Sequence, residues 1–302
     1  MFLIYDTFKV LIKIIKEGID VVIDMELFSR FTSLLSFFSA AKIRVGFFRF
    51  NLEGLYRADT YTHKVMYNPY THISRNFLTL VESLTGNQES PLLKKPLARG
   101  DAVVPRIESS IDSKDKIWHK LEEINSGINR KNKIVIINLG LGELLPLRRW
   151  PIENYIELIH RLLKDEETFV VLAGVKPETG SFSKTQGVLD IERCINIIGQ
   201  TTVKEVIDLC NVSHLLISHD SGIVNIASLT PINIIVLFGP ETPLLYAPLN
   251  SNKAVCYKNF ACSPCFSAYN HRLSVCSDNR CLKAISVAEV LLSARRYLCV
   301  DN

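Results

Sequence analysis

Short, almost wholly apolar runs, separated by stretches with helical spacing, constrain this chain more than any other feature. Lys133-Ile-Val-Ile-Ile-Asn138, Thr168-Phe-Val-Val-Leu-Ala173, Cys194 to Ile198, His214-Leu-Leu-Ile-Ser218 and Asn233 to Phe238 are such runs. A strand with no polar alternation is buried on both faces, as in a parallel sheet covered by helices. Between the runs, Pro151 opens a helix whose apolar positions are Ile152, Tyr155, Ile156, Ile159, Leu162 and Leu163. Thr202-Val-Lys-Glu205 is a capping box opening a helix to Cys210, and Gly222 to Leu229 is helical. Ser286-Val-Ala-Glu289 is a second capping box before a terminal helix. The pattern predicts a doubly wound α/β domain.

The first third repeats the pattern more weakly. It predicts a helix over Thr7 to Lys16, a strand over Asp20 to Asp24, a helix over Phe28 to Ala41, a strand over Ile43 to Phe47 and a helix over Ile73 to Leu84. Residues 48–75 read as a long loop, and residues 87–112 as a terminal strand and linker. Such a half-domain ordinarily opens on a strand followed by its ligand loop. Here that strand and loop are expected to be missing, or reduced to Phe2 to Tyr5. A chain of 302 residues suits two domains. They are expected at 1–112 and 133–302, with a linker at 113–132.

Composition excludes several classes. With 47% hydrophobic and 22% charged residues, the chain is neither disordered, collagen-like nor a disulfide scaffold. A net charge of +4 without a dense Lys/Arg stripe argues against nucleic acid as a partner and suits small anionic ligands. The apolar stretch Phe31 to Ala41 falls short of the roughly 18 residues of a membrane span. Asp6 and Lys9 interrupt any secretory signal. Eight cysteines without a signal then point to reduced thiols and a cytoplasmic location.

Three segments could carry chemistry. In Ile217-Ser-His-Asp-Ser-Gly-Ile-Val-Asn-Ile-Ala227 a strand runs into a helix start, where free N–H groups favour an anion. Gly222 permits close approach, and Asp220 either bonds ligand hydroxyls or caps the helix. In Asn138-Leu-Gly-Leu-Gly-Glu-Leu-Leu-Pro-Leu-Arg-Arg-Trp-Pro151, a Gly-containing loop leads to adjacent arginines that could clamp a diphosphate. The bland alternative is a solvated loop anchored by Trp150. Third, Cys262-Ser-Pro-Cys265, His271, Cys276 and Cys281 allow a zinc site or a thiol-rich loop without metal. Asp24 and Glu26 follow a strand end and are candidates for a catalytic acid or base, or else helix caps; His63 and His72 are candidate ligand contacts in the 48–75 loop.

At Asp220-Ser-Gly222 followed by Phe238-Gly-Pro-Glu-Thr-Pro243, the sequence resembles glycosyltransferase family 9, the family of lipopolysaccharide heptosyltransferases. Asp20-Val-Val-Ile-Asp24, Arg44-Val-Gly-Phe47, Arg148-Arg-Trp-Pro151, Leu172-Ala-Gly174, and Gly199 with Thr201 and Thr202 fall in the family's order. Cys262-Ser-Pro-Cys265 through Tyr269-Asn-His-Arg272 and Cys281 resemble a subgroup of it. The resemblance implies a GT-B fold: two Rossmann-like doubly wound domains facing a cleft, here with the first incomplete. It implies inverting transfer of a hexosyl or heptosyl group from a nucleotide-diphosphate-sugar, with no metal and no cofactor. The implied acceptor is a lipid-linked saccharide of lipopolysaccharide type, which would bring the protein to the inner face of the cytoplasmic membrane as a peripheral partner. Donor-binding positions carried over are Asn138, Gly140, Arg148, Arg149, Thr201, Thr202, Asp220, Ser221, Gly222 and Asn225.

The family's opening loop carries an Asp expected to act as general base, and no segment here matches it. His219 stands where Asn is usual, Val224 where His is usual with Asn225 nearest, and Leu139 where Pro is usual. The alternative is a truncated homologue that binds a nucleotide sugar without catalysis. An epimerase-like reading of the same fold lacks its acidic and histidine constellation.

Overall fold

The computed structural model describes residues 2–27, 29–49, 57, 59–85, 104–140, 145–175 and 191–299. The chain divides into two compact units, residues 1–102 with 267–273, and residues 103–266 with 274–302.

In the first unit the described elements are α1 (Phe2–Glu17), β1 (Val21–Asp24), α2 (Arg30–Phe38), β2 (Ile43–Arg49), β3 (His63–Met66) and α3 (Ile73–Glu82). The strands form a parallel sheet in the order β1-β2-β3, with Val21 opposite Ile43 and Val45 opposite His63. Leu27, Val45, Phe47, Val65, Tyr67, Leu80 and Ala268 form the core. Ser29 caps α2 by accepting from the Thr32 N–H (3.4 Å), and His72 Nδ1 caps α3 by accepting from the Ser74 N–H (3.2 Å). Two expectations are corrected. Phe2 to Tyr5 is the first turn of α1 rather than a remnant strand. The 48–75 loop contains β3, whose buried His63 and Val65 alternate with half-buried neighbours over only four residues, too short a run to stand out. Most of the expected terminal strand, at 86–103, lies outside the described residues, and 104–110 is irregular.

In the second unit the described elements are α4 (Ile111–Ile124), β4 (Lys133–Asn138), a 3-10 turn (Pro146–Arg148), α5 (Ile152–Leu162), β5 (Thr168–Leu172), β6 (Cys194–Asn196), α6 (Val203–Val212), β7 (Leu215–His219), α7 (Gly222–Ala227), β8 (Asn233–Phe238), α8 (Pro243–Tyr246), β9 (Lys253–Tyr257), α9 (Arg280–Lys283) and α10 (Val287–Leu298). Six parallel strands lie in the order β6-β5-β4-β7-β8-β9. Val135 and Ile137 face one core with Tyr155, Leu158 and Ile159 of α5 and Val290, Leu291 and Ala294 of α10. Ile134 and Ile136 face the other, with Ile117 and Trp118 of α4, Leu209 of α6 and Val224 of α7. Burial on both faces is why these strands are uninterrupted apolar runs.

The expected linker at 113–132 is also corrected. Ile117, Trp118 and Leu121 of α4 are buried against Ile134 and Ile136, so this helix belongs to the second core. The short return at 267–273 belongs to the first unit, through Ala268. No described helix is long and apolar enough to cross a membrane.

Candidate functional site

Within the second unit the strand order reverses between β4 and β7, and such a reversal opens a crevice beyond the carboxyl ends of the strands. A cavity of about 710 Å³ lies there, lined among others by Asn138, Gly140, Arg148, Thr201, His219 and Asp220. That volume is of ligand size.

Asn138 ends β4 and organises the floor. Its Nδ2 donates to Ser218 Oγ (3.2 Å) and Ser221 Oγ (3.1 Å), and its Oδ1 accepts from the Gly140 N–H (3.1 Å). Gly140 has φ +69°, and a Cβ there would lie 2.5 Å from His219 Cε1. Gly174 has φ +150°, and a Cβ there would lie 2.9 Å from Asn138 Oδ1. Both positions therefore require glycine.

The charged wall comes from the 3-10 turn. Asn279 Nδ2 donates to the carbonyls of Leu147 (3.1 Å) and Arg149 (2.7 Å). Trp150 Nε1 donates to the Ile285 carbonyl (3.0 Å), and its ring packs edge-on against Tyr155. So anchored, Arg148 places Nη1 at 3.2 Å from both Asp220 Oδ2 and the Asp220 carbonyl, while Nη2 donates to Glu241 Oε1 (3.4 Å). Arg148 is thus held between two carboxylates. Asp220 is engaged with Arg148. Ser221, the N-cap residue, makes no side-chain cap either: its Oγ lies 3.0 Å from Ser218 Oγ. Ser221 thus gives the first turn of α7 no side-chain cap, and a Cβ on Gly222 would meet only open space.

His219, at the end of β7, is buried in the same wall. Burial first, then the charges of Arg148 and Arg149, push its pKa down to about 4. The imidazole is neutral near pH 7, and its Nδ1 has no hydrogen-bond partner among the described residues.

Seven expected donor-site residues line the cavity: Asn138, Gly140, Arg148, Thr201, Asp220, Ser221 and Gly222. Three do not. Arg149 is fixed through its carbonyl by Asn279, Thr202 caps α6, and Asn225 is exposed on α7. Residues 141–144 of the loop after β4 lie outside the described residues. Sequence reasoning missed His219 of the wall and Glu241 behind Arg148. His219 registered only as a departure from the family pattern. Glu241 lies within Phe238 to Pro243, and a loop glutamate ordinarily reads as solvated. Here it is 1% exposed.

The other candidates fall elsewhere. Asp24 Oδ2 accepts from Arg57 Nη2 (2.6 Å) and from the Tyr61 hydroxyl (2.7 Å), and its Oδ1 from the Glu26 N–H (3.0 Å). Arg57 also donates to the Ser29 carbonyl (2.7 Å), so this buried network ties β1 to the start of α2. Glu26 is exposed, with its carboxylate turned to the Leu27 N–H (2.9 Å). His63 is buried beside Thr62 Oγ1 (3.0 Å), and His72 serves as a cap. Cys262 is exposed, Cys265 and Cys276 are half-buried and Cys281 is buried. Among the described residues no three His, Cys, Asp or Glu side chains gather as a metal site. In this stretch the Cys265 N–H donates to the Pro240 carbonyl (2.9 Å), and Cys276 Sγ to the Asp278 carbonyl (3.1 Å).

Fold and site together define a Rossmann-like α/β protein with a polar, ligand-sized crevice at a topological switch point. The model of glycosyltransferase family 9 (heptosyltransferase) matches residues 8–275, and the chain belongs to that family. Lipooligosaccharide heptosyltransferase 2 of Haemophilus influenzae is 30% identical over 115 residues, 37% of this chain and 33% of that protein. Lipopolysaccharide heptosyltransferase 2 of Escherichia coli K12 is 30% identical over 116 residues, with the same shares. The aligned stretch thus spans about a third of the length of the curated relatives it matches. Among solved structures, the Escherichia coli ADP-heptose lps heptosyltransferase II has a TM-score of 0.70 at 19% identity, covering 98% of this chain and 81% of that one. A family 9 glycosyl transferase from Veillonella parvula has a TM-score of 0.70 at 18% identity, covering 98% and 78%. The fold is shared with these proteins, the parallel-sheet α/β architecture of the GT-B class.

Proposed function

We propose that the chain is a glycosyltransferase that moves a sugar from a nucleotide-diphosphate-sugar to a lipopolysaccharide or related surface-glycan acceptor, inverting and without a metal. The observation that carries this reading is the placement of Arg148, Asp220 and the start of α7, which Ser221 does not cap, around one cavity, in a chain of this family. As the glycosidic bond breaks, the leaving diphosphate gains negative charge. A guanidinium and backbone N–H groups fixed beforehand stabilise such charge without reorganising. Asp220 would accept from a donor hydroxyl. The Escherichia coli structure of the same fold is that of an ADP-heptose lps heptosyltransferase, which makes ADP-heptose the first donor to test. The acceptor would bring the protein to the cytoplasmic face of the membrane.

Titration calorimetry with ADP, GDP, UDP and ADP-heptose tests the reading. At least one should bind, and Arg148→Ala and Asp220→Asn should each weaken it by about ten- to a hundredfold, the worth of a charge-assisted hydrogen bond. Well-folded protein that binds none of them would sink the assignment. A second reading, binding without transfer, is favoured by Asp24: this candidate catalytic acid or base is bonded to Arg57 and Tyr61. Donor binding without acceptor-dependent release of nucleoside diphosphate would select that reading.

A further inference from the structure

We infer that Glu241 is a positioning residue of the donor site: its buried carboxylate holds the Arg148 guanidinium where it can exchange Asp220 for the diphosphate of a bound donor. The inference rests on the reading of the cavity as a donor site. Glu241 follows β8 in the loop Phe238 to Pro243, and its side chain is 1% exposed. A carboxylate so deeply buried needs a cationic partner. Arg148 Nη2 stands at 3.4 Å. Glu241 does not line the cavity, whereas Arg148 and Asp220 do, so it reaches a ligand only through Arg148.

The guanidinium is divided between two acids, with Nη1 on Asp220 and Nη2 on Glu241, and its Nε is buried without a hydrogen-bond partner among the described residues. Two carboxylates against this one guanidinium disfavour a diphosphate if both contacts persist. They accommodate it if the more exposed contact yields. The Asp220 side chain is 11% exposed and borders the cavity. Nη1 then turns to a phosphate oxygen, Asp220 becomes available to a donor hydroxyl, and Glu241 keeps Nη2 fixed. Only protein–protein contacts and protein–ligand contacts exchange, and no covalent bond changes.

The test is a double-mutant cycle on the full chain, with inorganic pyrophosphate and ADP as calorimetric probes. Glu241→Gln keeps the shape and removes the charge. It should weaken both probes about tenfold in the wild-type background and by less than about twofold in an Arg148→Ala background. Equal weakening in both backgrounds, or none in either, overturns the inference. A second readout needs no ligand: phenylglyoxal modification of Arg148, located by peptide mass mapping, should quicken several-fold in Glu241→Gln. An unchanged rate overturns the inference even if donors bind. If neither probe binds the wild type, the donor reading fails and the Arg148 reactivity still decides the role of Glu241. Should Glu241→Gln not fold, Glu241→Asp keeps the charge but shortens the reach, and it should move both quantities in the same direction.

Discussion

A neutral imidazole in the wall of a charged crevice has a consequence for stability. His219 titrates near 4 in the folded chain, against about 6.5 for an unburied histidine. Between those values the unfolded chain takes up a proton that the folded chain refuses. The contribution of His219 is therefore complete above about pH 6.5 and is lost as the pH falls towards 4, amounting to roughly 3 kcal/mol over that window. Urea unfolding at pH 7.0 and 4.5 should show His219→Asn losing less stability between the two than wild type. Equal losses would place the cause elsewhere. Residue type offered Arg148 and Asp220 as candidates for a site, beside a solvated loop and a helix cap as the alternatives. Their bond to each other, across 72 positions, was not legible.

The same four-residue signal gives two outcomes at the level of elements. At α6, Thr202 accepts from the Glu205 N–H (3.2 Å) and Glu205 Oε2 accepts in return from the Thr202 N–H (2.8 Å). Lys120 of α4 adds bonds to Glu205 (2.9 Å) and to the Gln200 carbonyl (2.6 Å). The Thr202 N–H first, then Lys120, hold the Glu205 carboxyl down at about 2. At α10, Ser286 accepts from the Glu289 N–H (3.2 Å), but the Glu289 carboxylate bonds Lys258 Nζ (2.6 Å). The spacing predicts the helix start in both cases. Whether the acid can also turn back to the cap depends on where the neighbouring lysine stands, and Lys120 and Lys258 are both brought in from outside the capped helix. Thr202→Ala should cost about 1 kcal/mol of stability in urea titration. It should leave nucleoside diphosphate affinity unchanged, since Thr202 caps α6 instead of lining the cavity. A matching loss of affinity would return Thr202 to the donor site.

The molecule carries separate cores in its two units, and its two tryptophans, Trp118 and Trp150, both lie in the second. Tryptophan fluorescence thus reports the second unit, while far-ultraviolet circular dichroism reports both. Denaturant curves by the two probes should not coincide. A nucleoside diphosphate at a hundred times its Kd should shift the fluorescence transition by about 2.7 kcal/mol. Coincident curves that move together would show one cooperative unit. The amino-acid sequence by itself determined the parallel α/β architecture, because a strand buried on both faces must be apolar at every position, as Ile134 to Ile137 are. It also determined where helices begin, since caps are local. It did not determine the unit boundary: α4 has a short apolar face, and only contact with Ile134 and Ile136 assigns that face to the second core. Nor did it determine the site's wiring. Placing β4 beside β7 sets Asn138 against Ser218, and the loop after β8 brings Glu241 to Arg148 across 93 positions. Periodicity records whether a residue meets water or core. Which buried charge meets which depends on distances that exist only once the strands have been ordered.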